Sequence, residues 1–391
     1  MVQKHVRCGS KCGIRRQQIS GSVQSQSMQD AIVISGWTWE SCNVPERIAL
    51  ALARMGSRVL YCENPASFLR TVRRFGEVDK GIFALGLHFV GHRLNSLPFL
   101  PAVQTRLLVA QILSKAFELR LRDPVLIYPH GNHCLLVARE LKKRGFPLVH
   151  VCMDYELELV SEHVRESHIT LVIPRAAFEE LRATFGEKVR LIPQLPAAKR
   201  SIAESGRVAE ASDISCIPRP RLGYLGNLTD RISLGLLREV LSQKQEWQFI
   251  SFASKKWLPL PNEHVLPWRS REELRSVLAA LDVGFMPYDC TSPKNLHCVP
   301  LKLLDYFEYG IPVVSTPIRF VHQYEQLVYT GATADELVRA VSEALAEPQD
   351  SPKRAQRISV AREHSLERSA QVLASLLAEL GGTDTAQGPS G

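Results

Sequence analysis

Two successive series of short, mostly apolar runs alternate with segments of helical periodicity, and that alternation restricts the chain more than any other property. The first series has apolar runs at Ala31–Ser35, Val59–Tyr61, Val125–Tyr128, Leu148–Met153, Ile169–Ile173 and Val189–Ile192. Helices are predicted at Pro45–Met55, Cys134–Arg144 and Ala176–Phe185, the last two closed by Gly145 and Gly186. The first of these carries Ile48, Leu52 and Met55 on one face. The stretch between Tyr61 and Val125 shows no clear period. The second series has strands at Arg221–Leu225, Trp247–Phe252, Val283–Met286 and Pro312–Ser315. Its helices are predicted near Leu234–Ser242, Arg271–Ala280, Ala334–Ala346 and Pro352–Leu380, the last capped by Ser351. Apolar strands separated by helices mean a parallel sheet covered on both faces. The expectation is therefore an α/β chain of two doubly wound, Rossmann-like domains.

A length of 391 residues suits two cores rather than one. The boundaries read as 30–195 and 221–380, joined by a Pro/Ser/Glu/Gly linker over 196–220. Residues 1–29 form a basic, Ser/Gln-rich extension without the apolar centre of a secretory signal. Either Met28 is the natural start or the extension is an organellar transit peptide. Residues 381–391 are a Gly/Thr/Ser tail with nothing to bury. Both ends are expected to be disordered.

The formal net charge is +8. It is spread along the chain, which suits an anionic ligand or an anionic membrane surface and is too diffuse for nucleic acid. No run approaches the ~20 apolar residues that cross a bilayer. The nine cysteines are scattered, and only Cys8 and Cys12 lie close together. No second pair completes a zinc site, so no metal is expected. Reduced thiols of a cytoplasmic protein account for them.

Val299 to Thr316 carries the most chemistry. It reads as a short helix opening on Pro300, ending at Gly310 and running into a buried strand. Proline suits a first helical position, and the free amides that follow point outward at the positive end of the helix dipole, where a phosphate can sit. Lys302 and Asp305 are three apart and share a face. A lysine meets phosphate oxygens there while a carboxylate accepts from ribose hydroxyls. The same spacing also fits an amphipathic helix with a surface Lys–Asp pair.

This segment resembles the donor-sugar signature of GT-B glycosyltransferases, in the glycosyltransferase-4-like and group 1 families, whose pattern runs P-L-K-L-(F/Y)-E-Y-x-A-x-G-x-P-V-V. Asp305 stands where the family usually has glutamate, and Phe307-Glu308-Tyr309 replaces small residues. A second acid, eight residues earlier in many retaining members, is His297 here. Leu222-Gly223-Tyr224-Leu225-Gly226, with Arg231, resembles the family's G-Y-x-G-x-x-x-x-R element. Asp282 to Tyr288 matches its D-V-G-(L/F)-x-P-Y segment. The resemblance covers roughly Asp30 to Leu380 and implies the GT-B architecture, with chemistry in the cleft between the domains.

On that resemblance the donor contacts are Pro300, Leu301, Lys302 and Asp305, with Gly226, Arg231, Tyr288 and one of Lys255 and Lys256. A glycine at the end of a strand lets backbone amides approach a diphosphate, and an arginine forks onto phosphate oxygens. For the acceptor the candidates are Trp37, Trp39 and Glu40, which resemble the family's tryptophan-containing loop. The usual Q-R-P is replaced there by Val44-Pro45-Glu46-Arg47. Val151 to Tyr155 resembles a Y-D-x-x-D element, which makes Asp154 the leading catalytic carboxylate; capping the next helix is its alternative role. His130, in Tyr128-Pro129-His130-Gly131, could bind the sugar, act as a base or be an ordinary loop histidine.

The reading is a metal-independent, retaining glycosyltransferase without a cofactor. It takes a nucleoside-diphosphate sugar as donor and a saccharide, lipid-linked or small-molecule acceptor. Peripheral association at the inner face of a membrane is left open. A nucleotide-sugar 2-epimerase of the same fold and a non-catalytic nucleotide-sugar-binding protein are the alternatives.

Overall fold

The computed structural model describes residues 29–41, 43–67, 73–89, 100–153, 157–195, 210, 212–226, 228, 230–253, 256–270, 273–292, 295 and 298–381. The first domain runs β1 (Ala31–Ile34), α1 (Val44–Arg54), β2 (Val59–Cys62), β3 (Ala66–Ser67), β4 (Gly76–Asp79), β5 (Ile82–Leu85), β6 (His88–Phe89), α2 (Leu100–Glu118), β7 (Val125–Pro129), α3 (Asn132–Lys142), β8 (Leu148–Cys152), α4 (Leu157–Glu166), β9 (Ile169–Val172), α5 (Arg175–Phe185) and β10 (Val189–Leu191). Its main sheet has the order β10-β9-β8-β7-β1-β2-β5-β4. Only the β4–β5 hairpin is antiparallel. β1 lies in the middle, with Ala31 opposite Val59 on one side and Val125 on the other. Alternate residues serve opposite faces. Ala31 and Val33 pack toward α1, whereas Ile32 and Ile34 join the α2 and α3 layer.

The second domain runs α6 (Ser212–Ser215), β11 (Arg221–Tyr224), α7 (Leu234–Gln243), β12 (Gln248–Phe252), β13 (Glu263–Leu266), α8 (Glu273–Leu278), β14 (Val283–Met286), α9 (Lys302–Glu308), β15 (Val313–Ser315), β16 (Val328–Thr330), α10 (Ala334–Leu345), α11 (Pro352–Glu363) and α12 (Leu366–Gly381). Its sheet, β13-β12-β11-β14-β15-β16, is parallel throughout. Numbered along the second domain alone this is 3-2-1-4-5-6, the doubly wound order whose ligands sit beyond the carboxyl ends of the strands.

The sequence predicts one helix from Pro352 to Leu380; the structure has two. The chain breaks at His364–Ser365, and the Ser365 hydroxyl accepts from the Arg368 amide at 3.1 Å to start α12. Leu366, Ala370, Leu373 and Leu377 then pack into the first domain's core beside α1. Arg54–Glu367 and Arg190–Glu379 ion pairs flank that seam. Residues 366–381 therefore serve the first domain, whereas the predicted boundary gives them to the second. α2 and the β4–β5 hairpin, in the stretch without a clear period, are also additions to the predicted elements.

Candidate functional site

The donor-side site is built on how α9 is fastened. Tyr306 is fully buried, donates to the Gly223 carbonyl at 2.8 Å and accepts from the Leu225 amide at 2.9 Å. Its ring lies where a side chain of Gly284 would stand: a Cβ there would come within 2.7 Å of the ring. β11 and β14 together thus clamp the helix, and its carboxyl end is held as well. Arg357, fully buried, donates to the Gly310 carbonyl at 3.1 Å and pairs with Glu347.

One turn before Tyr306, the Lys302 ammonium donates to the Tyr288 hydroxyl at 3.0 Å and the Tyr224 hydroxyl at 3.3 Å. It lies 4.3 Å over the Tyr224 ring. Both tyrosines are 4% exposed. Burial, then the neighbouring Tyr224, pushes the Tyr288 phenol well above its ordinary value, so it stays a neutral hydroxyl. Among the described residues no carboxylate pairs with Lys302, whose ammonium is bonded to the two phenol oxygens. Gly226 completes the group. It sits at φ +149°, where L side chains are rare, and a Cβ would lie 3.5 Å from the lysine's Cε. A short bridge between Ile232 and Tyr288 brings the Arg231 backbone to the same strand edge. The Arg231 carbonyl accepts from the Asp289 amide at 2.9 Å.

Pro300 lies two residues ahead of α9 rather than at its first position. Its carbonyl accepts from Leu303 at 2.9 Å and from Gln194 of the first domain at 3.1 Å. Val299 and Leu301 pack against the first domain's core. Asp305 does not stand open for a ribose. One oxygen lies 3.6 Å from Arg47 at the start of α1, with the two side chains 13% and 2% exposed. Arg47 also donates to the Leu195 carbonyl at 2.6 Å. The segments after β1, β9 and β10 therefore meet those after β14 and β15, which identifies the cleft. A cavity of about 270 Å³ lies there, lined by Pro174, Arg175 and Glu179 of the first domain and Cys298, Arg319 and Phe320 of the second.

The remaining expected residues divide. Trp37 is 44% exposed, and Glu40, also exposed, sits at φ +75° in the same loop. Trp39 is a correction: it is 5% exposed, edge-on to Tyr61 at 5.1 Å, with its amide donating to buried Glu63 at 2.8 Å. It is core and cannot stack on an acceptor. Lys256 is exposed. Asp154 and Lys255 lie outside the described residues. His130 is half-buried at the carboxyl end of β7. Behind it stand two buried histidines with no place in the sequence reading: His150, 0% exposed, and His163, 2% exposed, stacked at 5.0 Å.

Tyr224, Tyr306, Arg47 and Gln194 were not among the expected site residues. Tyr224 and Tyr306 lie inside the matched motifs and could have been read from them. Arg47 stands in the segment that replaces the family's Q-R-P, whereas Gln194 carries no local signal.

No family model matches the chain. Over 154 residues it is 25% identical to a Bacillus subtilis (strain 168) protein named as a teichuronic acid biosynthesis glycosyltransferase, TuaH. That match covers 36% of this chain and spans 38% of the relative's length. Among solved structures, sucrose-phosphate synthase (tll1590) from Thermosynechococcus elongatus superposes with a TM-score of 0.65 at 13% identity, over 90% of this chain and 99% of that one. The α,α-trehalose-phosphate synthase (UDP-forming) of Burkholderia vietnamiensis gives 0.63 at 12%, over 92% and 100%. Trehalose-6-phosphate synthase of E. coli, bound with UDP-2-fluoro glucose, gives 0.62 at 12%, over 89% and 99%. The shared fold is the GT-B architecture.

Proposed function

We propose that this GT-B chain is a glycosyltransferase that moves a sugar from a nucleoside-diphosphate sugar to a saccharide, lipid-linked or small-molecule acceptor. The observation that carries the reading is the Lys302 ammonium held between the Tyr224 and Tyr288 hydroxyls beside Gly226. Breaking the anomeric C–O bond leaves negative charge on the departing diphosphate. Groups already fixed where that charge develops lower the barrier, because they need no reorganisation as it forms. Lys302 supplies a cation that no carboxylate among the described residues pairs with. The two phenols accept from the ammonium and hold it at that point. Gly226 leaves room for the diphosphate against the backbone.

The names of similar proteins agree with this class. The bacterial relative is named a glycosyltransferase, one structural neighbour is described as UDP-forming, and another holds a UDP-sugar analogue. In this reading protein cations neutralise the leaving group without a metal, and the anomeric configuration is retained. His130, just past the carboxyl end of β7, contacts the transferred sugar. No helix among the described residues is long and apolar enough to cross a membrane. A lipid-linked acceptor would be met from the surface. The epimerase and binding-protein alternatives gain no observation of their own.

The test is release of nucleoside diphosphate from UDP-, GDP- and ADP-sugars in the presence of saccharide and lipid-linked acceptors. Lys302→Met should lower kcat by about a hundredfold or more while its far-UV spectrum stays that of the parent. A folded Lys302→Met variant with parental turnover would remove the site from the mechanism.

A further inference from the structure

The buried histidines behind His130 are absorbed by nothing above. β7 ends at Pro129, the chain turns through His130 and Gly131, and α3 begins at Asn132. Gly131 occupies the N-cap position at φ +145° and supplies no side-chain cap. Its amide, facing inward, is satisfied from another element: it donates to Nε2 of His163 on α4 at 3.3 Å. The Tyr128 hydroxyl donates to the His163 carbonyl at 3.5 Å, so strand and helix are joined on both sides of the turn.

That bond fixes the state of the imidazole. Nε2 must present a lone pair, so the hydrogen of neutral His163 is on Nδ1. Nδ1 is buried and finds no hydrogen-bond partner among the described residues. His150 stacks on the ring at an interplanar angle of 22°, with both of its own nitrogens buried and unpartnered among the described residues. The His130 ring lies 6.3 Å from that of His150. Two buried, unsatisfied imidazoles are costly to keep, and the packing they provide bears on one turn. Burial, then His130, lowers the His163 pKa to about 4, with Glu162 raising it and Arg139 lowering it further.

We infer that His163 is a positioning residue for His130: its neutral imidazole, braced by His150, holds the Gly131 amide and so sets the turn from which His130 meets the transferred sugar. This rests on the reading of His130 given above. The role belongs to the acceptor lone pair at Nε2 and not merely to a ring of that size. Phenylalanine keeps the stacking and loses the acceptor. Glutamine brings a carbonyl oxygen to about the same reach. If Nε2 itself took a proton, two N–H groups would oppose each other across 3.3 Å.

The test compares His163→Phe and His163→Gln in the full-length chain, with two readouts. The first is deuterium uptake of the peptide over residues 129–135. It should quicken in the Phe variant and return toward the parent in the Gln variant. The second is steady-state transfer. The Phe variant should lose between about tenfold and about a hundredfold in kcat with donor KM little changed, and Gln should recover most of it. In a His130→Ala background, His163→Phe should cost almost nothing more, because the group it positions is gone. Equal exchange in parent and Phe variants would overturn the hydrogen-bond assignment. A Gln variant as impaired as Phe, or an undiminished Phe effect in the His130→Ala background, would reduce His163 to a packing residue. If His130→Ala alone leaves transfer unchanged, the role of His130 fails, while the exchange readout still decides whether His163 holds the turn.

Discussion

The sharpest conflict between expectation and structure is Asp305, and it can be resolved by measurement. The resemblance assigns its carboxylate to ribose hydroxyls; the structure sets it 3.6 Å from the Arg47 guanidinium. Arg47 is 2% exposed, so its charge is almost wholly removed from water and is answered in part by the Leu195 carbonyl at 2.6 Å. Removing one partner of such a pair strands the other, at about 3–5 kcal/mol. Asp305 is 13% exposed and keeps some solvation, which places Arg47→Met toward the lower figure. Urea unfolding of the parent, Arg47→Met, Asp305→Asn and the double variant forms a cycle, and a coupling of at least about 1 kcal/mol is expected. Donor kinetics tests whether Asp305 also meets the ribose. Asp305→Asn should raise donor KM by about tenfold or more, the worth of a hydrogen bond to a charged group. Arg47→Met, which leaves the carboxylate to the ribose alone, should not raise it. An additive cycle would show that the interdomain bridge contributes nothing, and equal KM changes would show that Asp305 acts only through Arg47.

Two further predictions concern stability. Gly284→Ala forces a methyl to within 2.7 Å of the Tyr306 ring and should cost about 1–3 kcal/mol in thermal or urea unfolding. Parental stability would mean that Tyr306 is not seated there. Acid should weaken the fold through the buried histidines. Burial, with His163 and His130 beside it, lowers His150 well below its ordinary value, and His163 falls to about 4. The unfolded chain takes up these protons below about pH 6.5 and the folded chain does not. The contribution is therefore intact above that pH and is lost as the pH falls toward 4, by about 3 kcal/mol for His163 alone. Urea midpoints at pH 7 and pH 5 read the loss. A His150→Leu, His163→Phe double variant that drops as far as the parent would refute the assignment.

What could be read from the chain follows the range of the forces involved. β1, β2 and β7 fall within a residue or two of their predicted bounds because a strand buried on both faces must be apolar throughout, a signal contained in a few consecutive residues. α2 was missed because its apolar residues follow no single face: Leu108, Val109 and Ile112 are buried while Val103 and Phe117 are exposed. The break at Ser365 rests on one side-chain cap that is easily passed over inside a long helical pattern. On the donor side, Gly226, Tyr288 and Lys302 are brought together as the matched segments require, since each ends or follows a strand of one sheet. Trp39 misled for the opposite reason: an indole after a first strand looks the same whether it faces the cleft or Tyr61, and only packing decides.

The contacts that unite the two domains could not be read at all, and they share a physical character. Arg47 with Asp305, Gln194 with the Pro300 carbonyl, and His364 with the Gln194 carbonyl at 3.2 Å join positions far apart in the chain through single polar side chains. None follows a period, and each residue type is common on surfaces. Their effect is nonetheless concentrated on one short region. Gln194 and Leu195 follow β10: the Gln194 amide donates to the Pro300 carbonyl in the loop before α9, the Leu195 carbonyl accepts from Arg47 of α1, and the Gln194 carbonyl meets His364 at the break before α12. A hinge movement that opened the cleft would have to part the Arg47–Asp305 pair or carry α1 with the donor helix. The carboxylate that the resemblance assigns to the ribose is thus, in the structure, the one that ties α9 to α1 through Arg47.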